Sequence, residues 1–133
     1  MGLLIKNRKS YTGKEKIVTS GNITNIEGSY FEIETGIIVV NGITYNTYKR
    51  IIYFGNLPSS GWKYVDTTMN AIGILGLYGA TNDGNPIPFI ATNDVTGYNI
   101  NLNYDNNNGR LQVAVNNSTW SNKTALITIE YYK

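Results

Sequence analysis

The sequence predicts an all-β protein built as an antiparallel β-sandwich, jelly-roll-like in its connections. Three observations support this prediction: short stretches in which apolar and polar residues alternate, turn residues spaced between these stretches, and no window with a helical period. Asn, Gly, Thr, Ile and Tyr are abundant, and such a composition favours strands and turns over helices. With 133 residues, the chain is long enough to bury a substantial core.

The N-terminal part, residues 1–47, is predicted to form a short β-hairpin or attachment region. Its first 16 residues are basic, which suits a flexible arm that contacts an acidic partner, a solvated terminus or an ordinary first strand. Further along, two apolar stretches at 37–40 and 43–45 flank Asn41-Gly42. This dipeptide supplies the two positive-φ residues of a type I′ hairpin turn, so a hairpin is expected here.

The C-terminal part, residues 48–133, is predicted to form the sandwich. Alternation and turn signals place strands there at 48–54, 62–65, 71–78, 98–104, 111–115 and 124–132. The 71–78 strand is apolar along its length, so it is expected to be buried. Its glycines, Gly73, Gly76 and Gly79, indicate close approach of another backbone, either within the sandwich or from a neighbouring subunit at a symmetry axis.

The amino-acid composition excludes several classes of function for this protein. The chain has no His and no Cys, so His- or Cys-based triads, disulfides and His- or Cys-based metal centres are excluded. Its net charge of +2, with 15% charged residues, lacks the strong basic stripe of a nucleic-acid-binding protein. No apolar run approaches the roughly 20 residues of a membrane span. We therefore expect no catalytic residues, no cofactor, no metal, no nucleic acid and no membrane insertion.

Carboxylates are the remaining candidates for chemistry. Glu32 and Glu34 share a strand face, but an acidic pair on an edge strand is usually solvated and discourages aggregation rather than cleaving a sugar bond. Asp83 and Asp105 open loops that superficially resemble calcium sites. The sixth residue from Asp105 is Arg110, where an EF-hand needs glycine, so both loops are interpreted as hairpin turns.

Aromatic residues among amides and hydroxyls are the best candidates for ligand binding. Trp62 and Trp120 both sit beside small polar residues, and Trp120 lies in the polar loop 116–123. An exposed ring there can cover the apolar face of a sugar while side-chain amides bind its hydroxyls. The alternative is that Trp120 folds back to cap the core or a subunit contact. The predicted ligand site consists of Trp120 as stacking platform with Tyr98, Asn117 and Asn122.

Three segments of the C-terminal part resemble a known domain. Residues 50–58 read Arg-Ile-Ile-Tyr-Phe-Gly-Asn-Leu-Pro, residues 86–90 read Pro-Ile-Pro-Phe-Ile, and residues 124–133 end in Glu-Tyr-Tyr-Lys. They are similar, in turn, to the opening strand, the Pro-x-Pro turn and the terminal strand of the C-terminal knob domain of bacteriophage tail-fibre or receptor-binding proteins. Residues 65–70 depart from that pattern, because related knobs often have a His-Gly-containing segment there.

The resemblance implies a non-enzymatic virion appendage of the tail-fibre or head-fibre type, on the surface of the phage particle. It implies a homotrimer whose N-terminal region attaches to other virion proteins and whose knob binds a bacterial surface glycan. Repeating a weak site raises its effective concentration. Two other functions fit the same sequence: a purely structural capsid or tail decoration protein, and a free-standing carbohydrate-binding module.

Overall fold

Nine strands and one short 3-10 helix occur in the part of the chain that the computed structural model describes, residues 19–89 and 99–133. The strands are β1 Thr19–Ser20, β2 Tyr30–Val40, β3 Ile43–Asn56, β4 Gly61–Asp66, β5 Gly73–Thr81, β6 Pro86–Ile87, β7 Ile100–Asp105, β8 Arg110–Val115 and β9 Thr124–Tyr132. The 3-10 helix, Ser118–Asn122, lies between β8 and β9. In these two ranges, no helix has the length and apolar character needed to cross a bilayer.

The strands form two antiparallel sheets that pack together around one apolar cluster. The larger sheet has the order β1-β2-β3-β9-β5-β6, and the smaller sheet has the order β4-β8-β7. The chain passes from one sheet to the other after β3, after β4, after β6 and after β8. The predicted all-β antiparallel sandwich is therefore confirmed.

Strict alternation in the last strand builds the centre of the core. β9 and β8 contribute the following buried side chains: Ala125, Ile127, Ile129 and Tyr131 from β9, and Leu111, Val113 and Val115 from β8. Full burial of a Leu, Ile or Val side chain stabilises the fold by about 1.5–3 kcal/mol relative to exposure. The strand predicted at 124–132 is thus confirmed.

A long hairpin connects β2 and β3 through the predicted turn. Both turn residues have positive φ, 51° for Asn41 and 80° for Gly42, as a type I′ turn requires. Because β9 pairs with β3 from Thr47 onward, the hairpin extends past the end of the C-terminal strand. Three large apolar side chains on this extension are more than half exposed: Ile37, Val39 and Ile43.

The boundary expected between residues 47 and 48 falls inside a continuous strand. β3 runs from Ile43 to Asn56, and β2 pairs with it on both sides of the expected boundary. Tyr30 of β2 also packs against the core. In the described part of the chain, the expected division into two regions is therefore not a division of the fold. The basic first 16 residues lie outside the described part.

The expectation of a buried strand at 71–78 is wrong. In the observed strand β5, the side chains of Ile74, Leu75 and Tyr78 are more than one-third exposed. A bulge between Ile74 and Gly76 shifts the register against β9. Tyr78 and Ala80 pair with Thr128 and Leu126, which alternate with buried residues of β9, so part of this apolar strand lies on the outer side of the larger sheet.

The glycines of β5 do accommodate a close neighbour, and that neighbour is β9 of the same chain. A Cβ at Gly73 would overlap the ring of Tyr132, and a Cβ at Gly79 would overlap the carbonyl oxygen of Leu126. Gly76 is crowded in the same way by a β9 side chain. Of the two explanations offered by the sequence, crowding within the sandwich accounts for these glycines.

A buried polar cluster joins the larger sheet to the connection that follows β4. Arg50 is 6% exposed, and it donates hydrogen bonds from Nε to Glu32 Oε1 and from Nη1 to the carbonyl oxygen of Thr67, both at 2.8 Å. Tyr131 Oη donates to the same Glu32 oxygen at 2.6 Å. Burial, and then the bond to Glu32, raise the pKa of the Tyr131 phenol. The expectation of a solvated acidic pair at Glu32 and Glu34 is therefore wrong for Glu32.

Candidate functional site

The outer side of the smaller sheet presents a compact array of aromatic, amide and charged side chains. Three cross-strand rows make up this array: Trp62, Ala114 and Asn101; Tyr64, Gln112 and Asn103; and Asp66, Arg110 and Asp105. We call these nine residues the aromatic–amide face. Neighbouring strands lie about 4.8 Å apart and same-face residues about 6.7 Å apart, so the face measures roughly 10 Å by 13 Å.

Strand alternation places these residues on the outside. Successive side chains of a strand point to opposite faces, and in β8 the residues Leu111, Val113 and Val115 are buried. Their neighbours in β8 therefore face away from the core, and the cross-strand register aligns the exposed residues of β4 and β7 with them.

The first row contains an exposed aromatic platform. Trp62 is 51% exposed, and the next residue across the sheet, Ala114, is too short to fill the space between Trp62 and Asn101. The backbone N–H of Asn99 donates to Asn116 Oδ1 at 3.1 Å and fixes one corner of this space. The resulting cavity has a volume of about 270 Å³ and is lined by Trp62, Asn99, Asn101, Ala114, Val115 and Asn116.

The second row adds a second ring and two oriented amides. Tyr64 is 52% exposed. Asn103 Nδ2 donates to Gln112 Oε1 at 2.8 Å, which fixes the orientation of both side-chain amides. Among the residues that the structure describes, the Gln112 amide N–H groups, the Asn103 side-chain oxygen and the Asn101 side chain have no hydrogen-bond partner. These groups can donate to and accept from hydroxyls of a ligand.

The third row is charged and internally paired. Arg110 Nε donates to Asp66 Oδ1 at 3.1 Å, and the Arg110 guanidinium carbon lies 5.9 Å from the centre of the Tyr64 ring. Hydrogen bonds from the turn, that of the Asn108 side chain first, lower the pKa of the Asp105 carboxyl, and the nearby Arg110 charge lowers it further. This row therefore contains one basic and two acidic side chains.

Trp120, the predicted stacking platform, lies in the core. It is 4% exposed within the 3-10 helix, and its ring centre is 6.5 Å from that of Phe89. A ring buried this deeply offers no face to a sugar, so the expectation of an exposed platform here is wrong. The alternative that Trp120 folds back onto the core describes its position. Its Nε1 is buried without a hydrogen-bond acceptor among residues 19–89 and 99–133.

The other predicted site residues have mixed outcomes. Asn117 caps the 3-10 helix, because its Oδ1 accepts a hydrogen bond from the Thr119 backbone N–H at 2.9 Å and another from the Thr119 hydroxyl. Asn122 is exposed at the end of that helix. Tyr98 lies outside the described residues. Ligand binding by Asn117 and Asn122 stays a prediction.

A second cavity, of about 360 Å³, lies on the outer side of the larger sheet. Its floor is a row of Tyr53, Leu126 and Ala80 across β3, β9 and β5, and residues 23–25 form one wall. On its rim, the Asn82 side-chain oxygen already accepts a hydrogen bond from a backbone N–H of β9. Its ring, Tyr53, is only partly exposed. This cavity therefore lacks the exposed platform found on the aromatic–amide face.

The carboxylates of the two acidic turns, at Asp83 and Asp105, are engaged by hydrogen bonds and an ion pair within the protein. Asp105 lies in the hairpin between β7 and β8, where its carboxylate accepts hydrogen bonds from the backbone N–H groups of Asn107 and Asn108. Asp83 lies between β5 and β6, where it pairs with Lys123. Both predicted turns are confirmed. In the described ranges, no three acidic side chains come close enough to hold a metal ion.

Sequence reasoning missed Trp62 and Tyr64 as members of one surface. The local signal is present, since Trp62, Tyr64 and Asp66 alternate with Lys63 and Val65. The alternation of residues 98–104 predicts that their Asn side chains face outward, and Asn101 and Asn103 are indeed exposed. The missing step is the position of β8 between β4 and β7, which no local pattern reveals.

Comparison of the chain with protein-family models, with curated proteins and with solved structures finds no significant match. The aromatic–amide face and the resemblance of residues 50–58, 86–90 and 124–133 are therefore the grounds for assigning a function. In the structure, those segments fall largely in β3, β6 and β9 of the larger sheet, on the side of the sandwich opposite the aromatic–amide face.

Proposed function

We propose that this protein is a non-enzymatic appendage of a bacteriophage virion that binds a host surface glycan through the aromatic–amide face. The observation that carries the proposal is the half-exposed ring of Trp62 beside Ala114 and Asn101. Such a ring can cover the apolar C–H face of a sugar, and neighbouring amides can bind the hydroxyls around it. In this proposal Trp62 replaces Trp120 as the stacking platform.

The rigidity of the face suits binding. Its side chains project from three hydrogen-bonded strands, and the bond between Asn103 and Gln112 holds two amides in fixed orientations. Because these groups are already ordered, little conformational entropy is lost when a ligand binds.

The charges of the face suit binding without bond cleavage. A glycoside hydrolase uses two carboxyl groups across the scissile bond, one of them protonated because its pKa is raised. On this face Asp66 is paired with Arg110, and the pKa of Asp105 is lowered rather than raised. The lowered pKa makes Asp105 unsuited to act as a general acid near neutral pH, and the Asp66 carboxylate is engaged by Arg110.

The assignment to a virion is supported by the resemblance to the phage knob domain. A trimer is supported by apolar side chains on the outer side of the larger sheet, among them Leu126 and Tyr78, and by the exposed tip of the β2–β3 hairpin. Large exposed apolar surfaces commonly mark contacts between subunits. Packing of the larger sheets against one another would leave the aromatic–amide face of each subunit accessible.

Replacement of Trp62 by Ala tests the glycan-binding part. We expect Trp62→Ala to weaken binding at least tenfold, since an aromatic contact contributes ~0.5–1.5 kcal/mol beyond its buried area and 1.4 kcal/mol is a factor of ten. The measurement is titration calorimetry with oligosaccharides first identified on a bacterial glycan array. Ile26→Ala, which removes an exposed apolar side chain outside both the aromatic–amide face and the proposed subunit contact, is the control. A loss confined to Ile26→Ala would contradict the proposed site.

The mass in solution tests the assembly. Light scattering should give three times the mass of a single chain, and the purified protein should adsorb to host cells. A single subunit that binds sugar would instead favour a free-standing carbohydrate-binding module. A trimer that binds no glycan and no cells would favour a structural decoration protein.

A further inference from the structure

We infer that the aromatic–amide face selects an uncharged glycan, and that the space beside Trp62 takes one pyranose ring. This inference rests on the proposed function and specifies the ligand class of the same site. Two independent features of the face carry it: the size of the space over Ala114, and the balance of charges in the third row.

The size of the space limits what can sit on Trp62. Its volume of about 270 Å³ is slightly below the roughly 300–1,000 Å³ of typical small-molecule sites. Ala114 forms its floor, with Trp62 on one side and Asn101 on the other. A single sugar ring stacked on the indole fits such a space. Further rings of the same chain would continue along the second row, where Tyr64 and two amides face outward.

The charges of the third row disfavour an acidic ligand. Asp66 and Asp105 contribute two negative charges, and Arg110, which lies between them in the register, contributes one positive charge. Arg110 already donates to Asp66 at 3.1 Å, so a ligand carboxylate would compete with a protein carboxylate for it. A uronic acid or phosphate placed on the second row would therefore meet net negative charge about 6.7 Å away, which is within one Debye length of about 8–10 Å.

The one cation of β4, Lys63, is directed away from the face. Lys63 alternates with Trp62 and Tyr64, and its Nζ donates to Glu27 Oε2 at 2.7 Å and to the Phe54 carbonyl oxygen at 3.3 Å. Lys63 is thus on the opposite side of the strand from the aromatic–amide face. Among the nine residues of the face, Arg110 is the one cation, and it is neutralised in place.

Asp66→Asn tests the charge selectivity. The probes are neutral hexose and N-acetylhexosamine oligosaccharides and matched oligosaccharides that carry one uronic acid. The wild-type protein should prefer the neutral set, and Asp66→Asn should raise the affinity for the acidic set relative to the affinity for the neutral set several-fold at low salt. Asp83→Asn, which removes an acidic charge from the β5–β6 turn, is the control and should change neither. The gain should shrink at high salt, because screening weakens exposed charges.

Ala114→Leu tests the single-ring space. The larger side chain should fill the floor beside Trp62 and reduce binding of neutral oligosaccharides at least tenfold, whereas the smaller change Ala114→Ser should reduce binding much less. Equal binding by Ala114→Leu and the wild type would overturn the assignment of the ring to this space.

The outcomes separate this inference from the proposed function. Binding that depends on Trp62 but prefers acidic oligosaccharides would overturn the selectivity and preserve the glycan-binding function. The same conclusion would follow if Asp66→Asn changed the binding of neither set. Absence of binding to either set would overturn both.

Discussion

The two tryptophans of this protein occupy opposite environments. Trp120 lies in a polar loop of the sequence but is buried in the fold, whereas Trp62 lies in a strand and is half exposed. The neighbours of Trp120 in the sequence, Ser118, Thr119 and Ser121, suggest exposure. The short helix that they form turns the indole inward, and Asn117 fixes that helix by capping it.

The difference shows that polar neighbours in the sequence do not establish exposure. Trp62 is exposed because of its place in the alternation of β4. Lys63 and Val65, which alternate with it, face the other side of the strand. Trp120 is buried because of the direction in which a single helical turn points its side chain. The exposure of Trp62 can be predicted from a strand pattern, whereas the burial of Trp120 depends on tertiary packing.

Removal of the Trp120 ring should have the largest effect on stability. Trp120→Ala is expected to lower the free energy of unfolding by about 3–5 kcal/mol, because it leaves a cavity in the core. Chemical denaturation monitored by circular dichroism measures this change. Trp120→Phe is the matched control, since it keeps an aromatic ring and removes a buried N–H that lacks an acceptor in the described residues. A loss below 1 kcal/mol for Trp120→Ala would mean that the ring is not part of the core.

Much of the fold follows from local patterns. The alternation of Ala125, Ile127, Ile129 and Tyr131 predicts the bounds of β9, and Asn41-Gly42 predicts the hairpin turn. These features depend on side-chain period and backbone conformation, which neighbouring residues determine. The exposure of β5 is not predictable in this way, because an apolar strand has no polar side to indicate which face stays uncovered.

The candidate site was less predictable for a related reason. Trp62 and Asn101 are far apart in the sequence, and they share a surface because β8 pairs with both of their strands. Local alternation indicates that each faces outward, but the strand order of the smaller sheet decides that they meet. The small side chain of Ala114 becomes meaningful only once this order is known.

The next-largest effect on stability is expected at Tyr131, a buried ring whose hydroxyl donates a hydrogen bond to Glu32. Burial, together with its bond to Glu32, raises the pKa of Tyr131 in the folded state above the ordinary value of 10.0. Above that pH the unfolded chain binds fewer protons than the folded chain, so the free energy of unfolding should fall as the pH rises. Below it the contribution of Tyr131 should be constant.

Tyr131→Phe isolates this contribution. The variant should lose about 0.5–1.5 kcal/mol at neutral pH with its hydrogen bond, and its stability should decline less between about pH 9 and pH 11 than that of the wild type. Urea denaturation across this range provides the measurement. Tyr64→Phe, an exposed ring on the aromatic–amide face, serves as the control and should keep the wild-type slope. An unchanged slope in Tyr131→Phe would show that another group causes the alkaline loss.

The smallest expected effect on stability belongs to Trp62. Because its ring is half exposed, Trp62→Ala should change the free energy of unfolding by less than about 0.5 kcal/mol, as for most surface substitutions. The same variant is expected to lose glycan binding, and this separation of stability from binding is what an exposed platform requires. Thermal unfolding of Trp62→Ala beside Trp120→Ala makes the comparison directly. A loss of 2 kcal/mol or more in Trp62→Ala would place its ring in a packed contact, and the outer side of the smaller sheet would then be an interface rather than a ligand surface.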